Sequence, residues 1–85
     1  MNTALRDPPP VLPASARRAG HRAQAAWQAG QAHARRGAWA DAARSYETAA
    51  RHAPQEPLFA LNHARALLAL RRFDDAAQEA VRGYN

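Results

Sequence analysis

The sequence predicts an all-α protein made of two antiparallel helix-turn-helix repeats, a short α-solenoid, preceded by a proline-rich extended leader. Two observations predict this fold. Between Ala23 and Pro54, small and apolar residues recur at helical i, i+3, i+4, i+7 spacing. The pattern then recurs about 34 residues downstream, with Trp39 falling on Phe73 and Asp41 on Asp75. The two halves therefore predict the same local structure.

The chain divides into a leader, residues 1–14, and a domain, residues 15–85, with repeats at about 23–56 and 57–85. Prolines at positions 8, 9, 10 and 13 fix φ and favour an extended polyproline II leader. Ser15 is an N-cap candidate for a first helix predicted from Ala16 to Arg36. Gly37 interrupts the helical pattern where a short turn is needed.

Three further helices are expected. The second should end before Pro54, which lacks an N–H, and its apolar side is formed by Trp39, Ala42, Ala43, Tyr46, Ala49 and Ala50. Gln55 or Glu56 can cap the third, because Pro57 suits a first helical turn. The last helix is predicted from Asp75 to Arg82. Gly83 either terminates it or is the small residue against which a next helix packs.

Composition restricts the class of protein. A chain of 85 residues forms one domain at most, and without cysteine it has neither a disulfide framework nor a thiolate metal site. No apolar run resembles a secretory signal or approaches a membrane span, so we expect a cytoplasmic protein without a membrane partner. The net charge is +5, but the arginines are scattered over several helix faces, and we expect no nucleic-acid partner.

Catalytic and metal-binding patterns are absent from the sequence. His33 and His63 fall on inward helix faces, but no HExxH motif or carboxylate at ligand spacing completes a metal site. Hydrogen-bonded packing is therefore the favoured interpretation of both. Ser15 and Ser45 have no nucleophile-elbow context, and the glycines are too isolated for a phosphate loop. We expect no catalytic residue, no metal and no cofactor, and hence no enzyme.

The repeated residues resemble the tetratricopeptide repeat family, whose pattern is roughly W-x2-L-G-x2-Y, then A-x3-F, then P. The first copy reads Ala26-x2-Ala29-Gly30-x2-His33, then Ala42-x3-Tyr46, then Pro54. The second reads Ala60-x2-His63-Ala64-x2-Leu67, then Ala76-x3-Ala80. The resemblance covers Ala23 to the C-terminus, and Ala26, His33 and Ala80 replace aromatic residues of the pattern.

The resemblance implies a non-enzymatic protein–protein interaction module, a scaffold or adaptor. In that family the first helix of each hairpin lines a concave groove that binds a peptide or a partner helix. The corresponding residues here are Gln24, Trp27, Gln31, Arg35, Leu58, Leu61, Asn62 and Arg65. Trp27 lies off the small packing face, so it is either an exposed anchor or buried against the leader. Arg35 and Arg65 would attract an acidic segment.

Two alternatives concern what lies beyond these repeats. Repeat units bury their faces against neighbours, so we expect either the N-terminal part of a larger protein or a chain that requires a partner. In the second case, the last helix would pack on another chain or on its own copy through Ala77, Val81 and Tyr84. An alternative function is the substrate-presenting arm of a bacterial transferase, of the glycosyl- or sulfo-transferase type.

Overall fold

The computed structural model describes residues 14–84, with side chains from 18 to 83, as four helices and no strand. They are α1 (Ala14–Arg35), α2 (Trp39–His52), α3 (Pro57–Ala69) and α4 (Phe73–Tyr84). The all-α prediction is confirmed for this part of the chain. Two helices differ from expectation in their bounds: α1 spans Ala14–Arg35 rather than Ala16–Arg36, and α4 spans Phe73–Tyr84 rather than Asp75–Arg82. The predicted extended leader lies outside the described residues.

The turn between α1 and α2 is closed by two backbone hydrogen bonds. The Ala38 N–H donates to the His33 carbonyl at 2.9 Å, and the Gly37 N–H donates to the Ala34 carbonyl at 2.9 Å. This is the Schellman arrangement, which satisfies carbonyls that the helix end leaves without partners. It places Gly37 in the left-handed region, with φ 74°, so the predicted glycine turn is confirmed.

The turn between α3 and α4 has the same two hydrogen bonds. The Arg72 N–H donates to the Leu67 carbonyl at 2.9 Å, and the Arg71 N–H donates to the Leu68 carbonyl at 2.9 Å. Here the left-handed residue is Arg71, with φ 63°. Each atom pair lies 34 residues after its counterpart in the first turn, so the two hairpins repeat in backbone geometry.

The link between the hairpins also follows from its sequence. Ala53 follows the last residue of α2, and its N–H donates back to the Ala49 carbonyl. Glu56 caps α3 by accepting a hydrogen bond from the Leu58 N–H at 3.3 Å, and Pro57 occupies the first turn. Of the two expected cap residues, the structure therefore selects Glu56.

Helices adjacent in sequence pack on one another, α1 on α2, α2 on α3 and α3 on α4. Their contacts are formed by small residues around a few larger ones. One cluster surrounds Phe59 and the other surrounds Tyr46. Gly30 of α1 lies so close to Tyr46 of α2 that a Cβ on the glycine would be 2.6 Å from the ring. The absence of a side chain at Gly30 therefore sets the distance between α1 and α2.

Gly83 has a similar role in the second hairpin. It lies within α4, where an added Cβ would be 2.9 Å from Leu61 Cδ2 on α3. The structure thus places Gly83 in the contact between α4 and the preceding helix. Because α4 continues through Gly83 to Tyr84, Gly83 is not the residue that terminates the helix. The other sequence-based interpretation, contact with a following helix, stays a prediction.

Hydropathy distinguishes these helices from membrane spans. Among the described residues, no helix combines the length and the apolar character that crossing a bilayer requires.

Candidate partner-binding groove

The candidate site is the groove between α1 and α3, which lie side by side across α2. On α1 a stripe of residues spaced by three or four positions points into it, and these are Gln24, Trp27, Gln31 and Arg35. A corresponding stripe on α3 contains Leu58, Asn62 and Arg65. Two clefts lie along the groove, and each is lined by residues of both stripes.

The first cleft brings together four of the residues expected from the sequence. It has a volume of about 240 Å³ and is lined by Gln31, Ala34, Arg35, Trp39, Tyr46, Asn62 and Arg65. Its walls come from α1 and α3, and α2 contributes the two aromatic residues. A cleft of this size accommodates a side chain rather than a folded element.

Tyr46 forms the buried part of this cleft. The residue is only 3% exposed, and its hydroxyl donates a hydrogen bond to Gln31 Oε1. Burial raises the pKa of the Tyr46 phenol, while the positive charges of Arg65 and Arg35 act in the opposite direction. The two arginines, one from each repeat, therefore act electrostatically on the same point of the groove.

The charge of the first cleft is not neutralised by its own lining. Arg35 and Arg65 are exposed, and none of the residues that line the cleft is acidic. The ion pairs within residues 18–83 lie elsewhere: Arg44 with Asp41, Arg72 with Asp75, and Glu79 with His63 and Arg82. The cleft is consequently a positive site able to accept a carboxylate or another anion.

The second cleft is more apolar. It has a volume of about 330 Å³ and is lined by Gln24, Trp27, Glu56, Leu58 and Phe59. The Trp27 and Phe59 rings lie 6.2 Å apart between centroids, in a tilted arrangement. Leu58 is 46% exposed at its edge. This part of the groove suits an apolar side chain.

Trp27 joins the two clefts. Its indole Nε1–H donates to Asn62 Oδ1 at 2.7 Å, and Asn62 lines the first cleft. The indole is half-buried, and it packs against Phe59 of α3. Its environment therefore differs from a fully exposed anchor, because α3 covers part of the ring.

Leu61 is the expected groove residue that the structure places elsewhere. Its side chain lies against Gly83 of α4, in the second hairpin. Sequence reasoning missed the contributions of Trp39, Tyr46 and Phe59 to the groove, because their positions read as core. A tyrosine hydroxyl on an otherwise apolar helix face was the one signal that pointed to a polar neighbour for Tyr46.

The two inward-facing histidines have separate environments. His63 Nδ1 lies 2.9 Å from Glu79 Oε2, whereas His33 Nδ1 lies 2.7 Å from Arg36 Nη2. Glu79 is buried and also accepts from Arg82 Nη1 at 2.8 Å. Within the described part of the chain, no group of three or more histidine, cysteine or acidic residues is arranged to hold a metal ion.

Comparison of this chain with protein-family models, with curated proteins and with solved structures gives no match. The class of protein is therefore defined by its own architecture, which over residues 14–84 is two packed helical hairpins whose turns recur after 34 residues.

Proposed function

We propose that this chain is a tetratricopeptide-like interaction module that binds an acidic segment of a partner protein in the groove between α1 and α3. The observation that carries this proposal is the convergence of Arg35 and Arg65, from different repeats, on one cleft without an acidic residue in its lining. Arginine forms paired hydrogen bonds with carboxylates, and a site with two arginines favours an anionic side chain over a neutral one.

The groove also specifies the spacing of the ligand. Trp27 and Arg35 are eight residues apart on α1, which corresponds to about 12 Å along a helix axis. An extended peptide covers that distance in about three to four residues. The preferred ligand therefore has an apolar residue in the Trp27 cleft and an Asp or Glu three or four positions away, between the arginines.

The chemistry of the cleft supports binding rather than catalysis. Its lining consists of amide, aromatic, alanine and arginine side chains. Burial raises the pKa of the Tyr46 phenol, so even less phenolate is available to act as a base at neutral pH. A scaffold or adaptor role is the function that these groups fit best.

A displayed library of random peptides tests the proposal. We expect the wild-type protein to enrich peptides that contain Asp or Glu three or four positions from an apolar residue. Synthetic peptides from that pool should lose affinity at least tenfold when Glu is replaced by Gln. The same loss should follow Arg35→Glu combined with Arg65→Glu in the protein.

Arg51→Glu is the control for a charge reversal outside the groove, because Arg51 is exposed on α2 and lines neither cleft. It should leave affinity within about twofold after the change in net charge is screened by salt. Enriched peptides without acidic residues, or equal binding to the double arginine variant, would show that the groove does not recognise an acidic segment.

A further inference from the structure

The outer face of α4 is apolar and exposed. Phe73 is 56% exposed and Val81 is 58% exposed, and Ala77 between them is also exposed. The residues 34 positions before Phe73 and Ala77 are Trp39 and Ala43 on α2. On α2, the face that contains Trp39 and Ala43 is covered by α3, and Ala43 is buried.

At the other end of the molecule, α1 presents a surface equivalent to the face of α3 that packs on α2. The α3 segment packs on α2 through Phe59, Ala66 and Leu70, the last being the residue that follows the helix. The residues 34 positions earlier are Ala25 and Ala32 of α1 and Arg36, which follows α1. Ala25 and Arg36 are exposed, and Ala32 is half-buried. One end of the molecule therefore presents the equivalent of the α2 surface, and the other end presents the equivalent of the α3 surface.

The internal α2–α3 contact shows which residues would meet if the ends of two copies joined. Ala40 of α2 and Leu70, the residue that follows α3, line one cleft that is also bordered by α4. Their equivalents at the two ends, 34 positions later and earlier, are Asp74 of α4 and Arg36, the residue that follows α1. Two apolar positions that line the same cleft inside the molecule thus correspond to two opposite charges at its ends.

Both charges are available for this contact. Within residues 18–83, neither Asp74 nor Arg36 forms an ion pair, and the side-chain hydrogen bonds of Arg36 go to His33 and to the Ala32 carbonyl, both in the preceding helix α1. The helices as a whole are also complementary. Four arginines and no acidic residue belong to α1, whereas α4 has three acidic residues and one arginine.

We infer that copies of this chain associate head to tail, with α4 of one copy packed on α1 of the next as α2 packs on α3. Phe73, Ala77 and Val81 supply the apolar contact, and the Asp74–Arg36 pair sets the register. This interface joins two different surfaces, so it does not close on itself as a two-fold dimer does. It repeats at each free end, and its strength falls as salt screens the charge pair.

Sedimentation velocity over a range of protein concentrations tests the inference. The wild-type protein should show a weight-average mass that rises with concentration and falls with added salt. Arg36→Asp alone and Asp74→Arg alone should each be monomeric under the conditions in which the wild type associates. Arg51→Asp on α2 changes the net charge by the same amount as Arg36→Asp, and it should associate as the wild type does.

The decisive samples are an equimolar mixture of the two single variants and the chain that carries both substitutions. Each restores opposite charges at the contact, so each should recover the association of the wild type. The double variant places unfavourable charges at two helix ends, so its recovery cannot arise from greater stability. Circular dichroism would verify that each variant remains helical.

Three outcomes would overturn the inference. The first is a wild-type protein that stays monomeric at every concentration. The second is an Asp74→Arg variant that does not associate and that regains association neither in the mixture with Arg36→Asp nor when both substitutions are in one chain. The third is normal association of Arg36→Asp alone, which would indicate a two-fold contact between two α4 helices. None of these outcomes affects the peptide library, because Arg35 and Arg65 face the groove rather than the ends.

Discussion

Gly37 and Arg71 lie 34 residues apart and occupy the same position in two equivalent turns, with φ values of 74° and 63°. Each is the left-handed residue of a turn closed by two equivalent backbone hydrogen bonds. Glycine adopts this conformation without steric cost, whereas a residue with a Cβ is strained there. The second hairpin therefore accepts at Arg71 a strain that the first hairpin avoids.

This difference predicts opposite effects of two substitutions. Gly37→Ala should lower the free energy of unfolding by about 1 kcal/mol, because an alanine is strained at positive φ. Nothing lies within 4 Å of a Cβ at Gly37, so the effect would be conformational rather than steric. Arg71→Gly should raise the free energy of unfolding by up to about 1 kcal/mol. Urea denaturation followed by circular dichroism measures both, and changes of the same sign would contradict this explanation.

Substitution of two other glycines separates packing from helix propensity. Gly30→Ala should lower the free energy of unfolding by about 1–3 kcal/mol, because the new Cβ would overlap the buried Tyr46 ring. Gly20→Ala is the control, because nothing lies within 4 Å of that position in the same helix. It should stabilise the protein by up to about 1 kcal/mol. Equal stabilisation by both variants in urea denaturation would mean that α1 and α2 do not pack closely at Gly30.

The hydrogen bond between Trp27 and Asn62 should contribute to the alignment of the repeats. A double-mutant cycle with Trp27→Phe and Asn62→Ala removes the indole donor and the amide acceptor in turn. We expect a coupling free energy of about 0.5–1.5 kcal/mol in thermal or urea unfolding. Asn62→Ala combined with Arg51→Ala should instead be additive, since Arg51 lies outside both groove clefts. A coupling near zero in the first cycle would mean that the bond contributes nothing to stability.

Stability at alkaline pH should depend on Tyr46. Burial raises the pKa of this phenol in the folded protein, so folding disfavours the phenolate. The contribution of the neutral Tyr46 phenol to the free energy of unfolding is fully present below the ordinary tyrosine pKa of about 10. That contribution is lost as the pH rises through the higher pKa of the folded state. The free energy of unfolding in urea should therefore fall above about pH 10 in the wild type. Tyr46→Phe should show a smaller fall, and equal slopes for both proteins would contradict this role.

Much of the fold was predictable because it depends on local rules. The number of helices, the turn at Gly37 and the start of α3 at Glu56 and Pro57 follow from spacing and turn chemistry. Helix ends were less predictable, because residues with weak preferences can join a helix whose neighbours are already ordered. Gly83 shows the limit most clearly. Its residue type and register suggested a helix end or a contact with a following helix, and neither interpretation anticipated its close contact with Leu61 of the preceding helix.

The residues that face the groove were largely predictable from helical spacing, whereas the burial of the aromatic residues around it was not. Helical spacing placed Gln31 and Arg35 on one face, and the structure brings them together with Asn62 and Arg65 in one cleft. The environment of Trp27 was not predictable, because partial burial by α3 depends on how two repeats lie against each other. Nor was the role of Tyr46, which lies under the cleft only because Gly30 allows it to approach α1.

The amino-acid sequence by itself determined that this chain forms helices, where the glycine turn falls and that the pattern recurs. These features arise from interactions within a few residues of the chain. Only the tertiary structure decided that Arg35 and Arg65 share a cleft, that Leu61 faces Gly83, and that the outer face of α4 stays exposed. Such relationships depend on the distances and angles between helices, and those are set by side-chain packing between residues far apart in sequence.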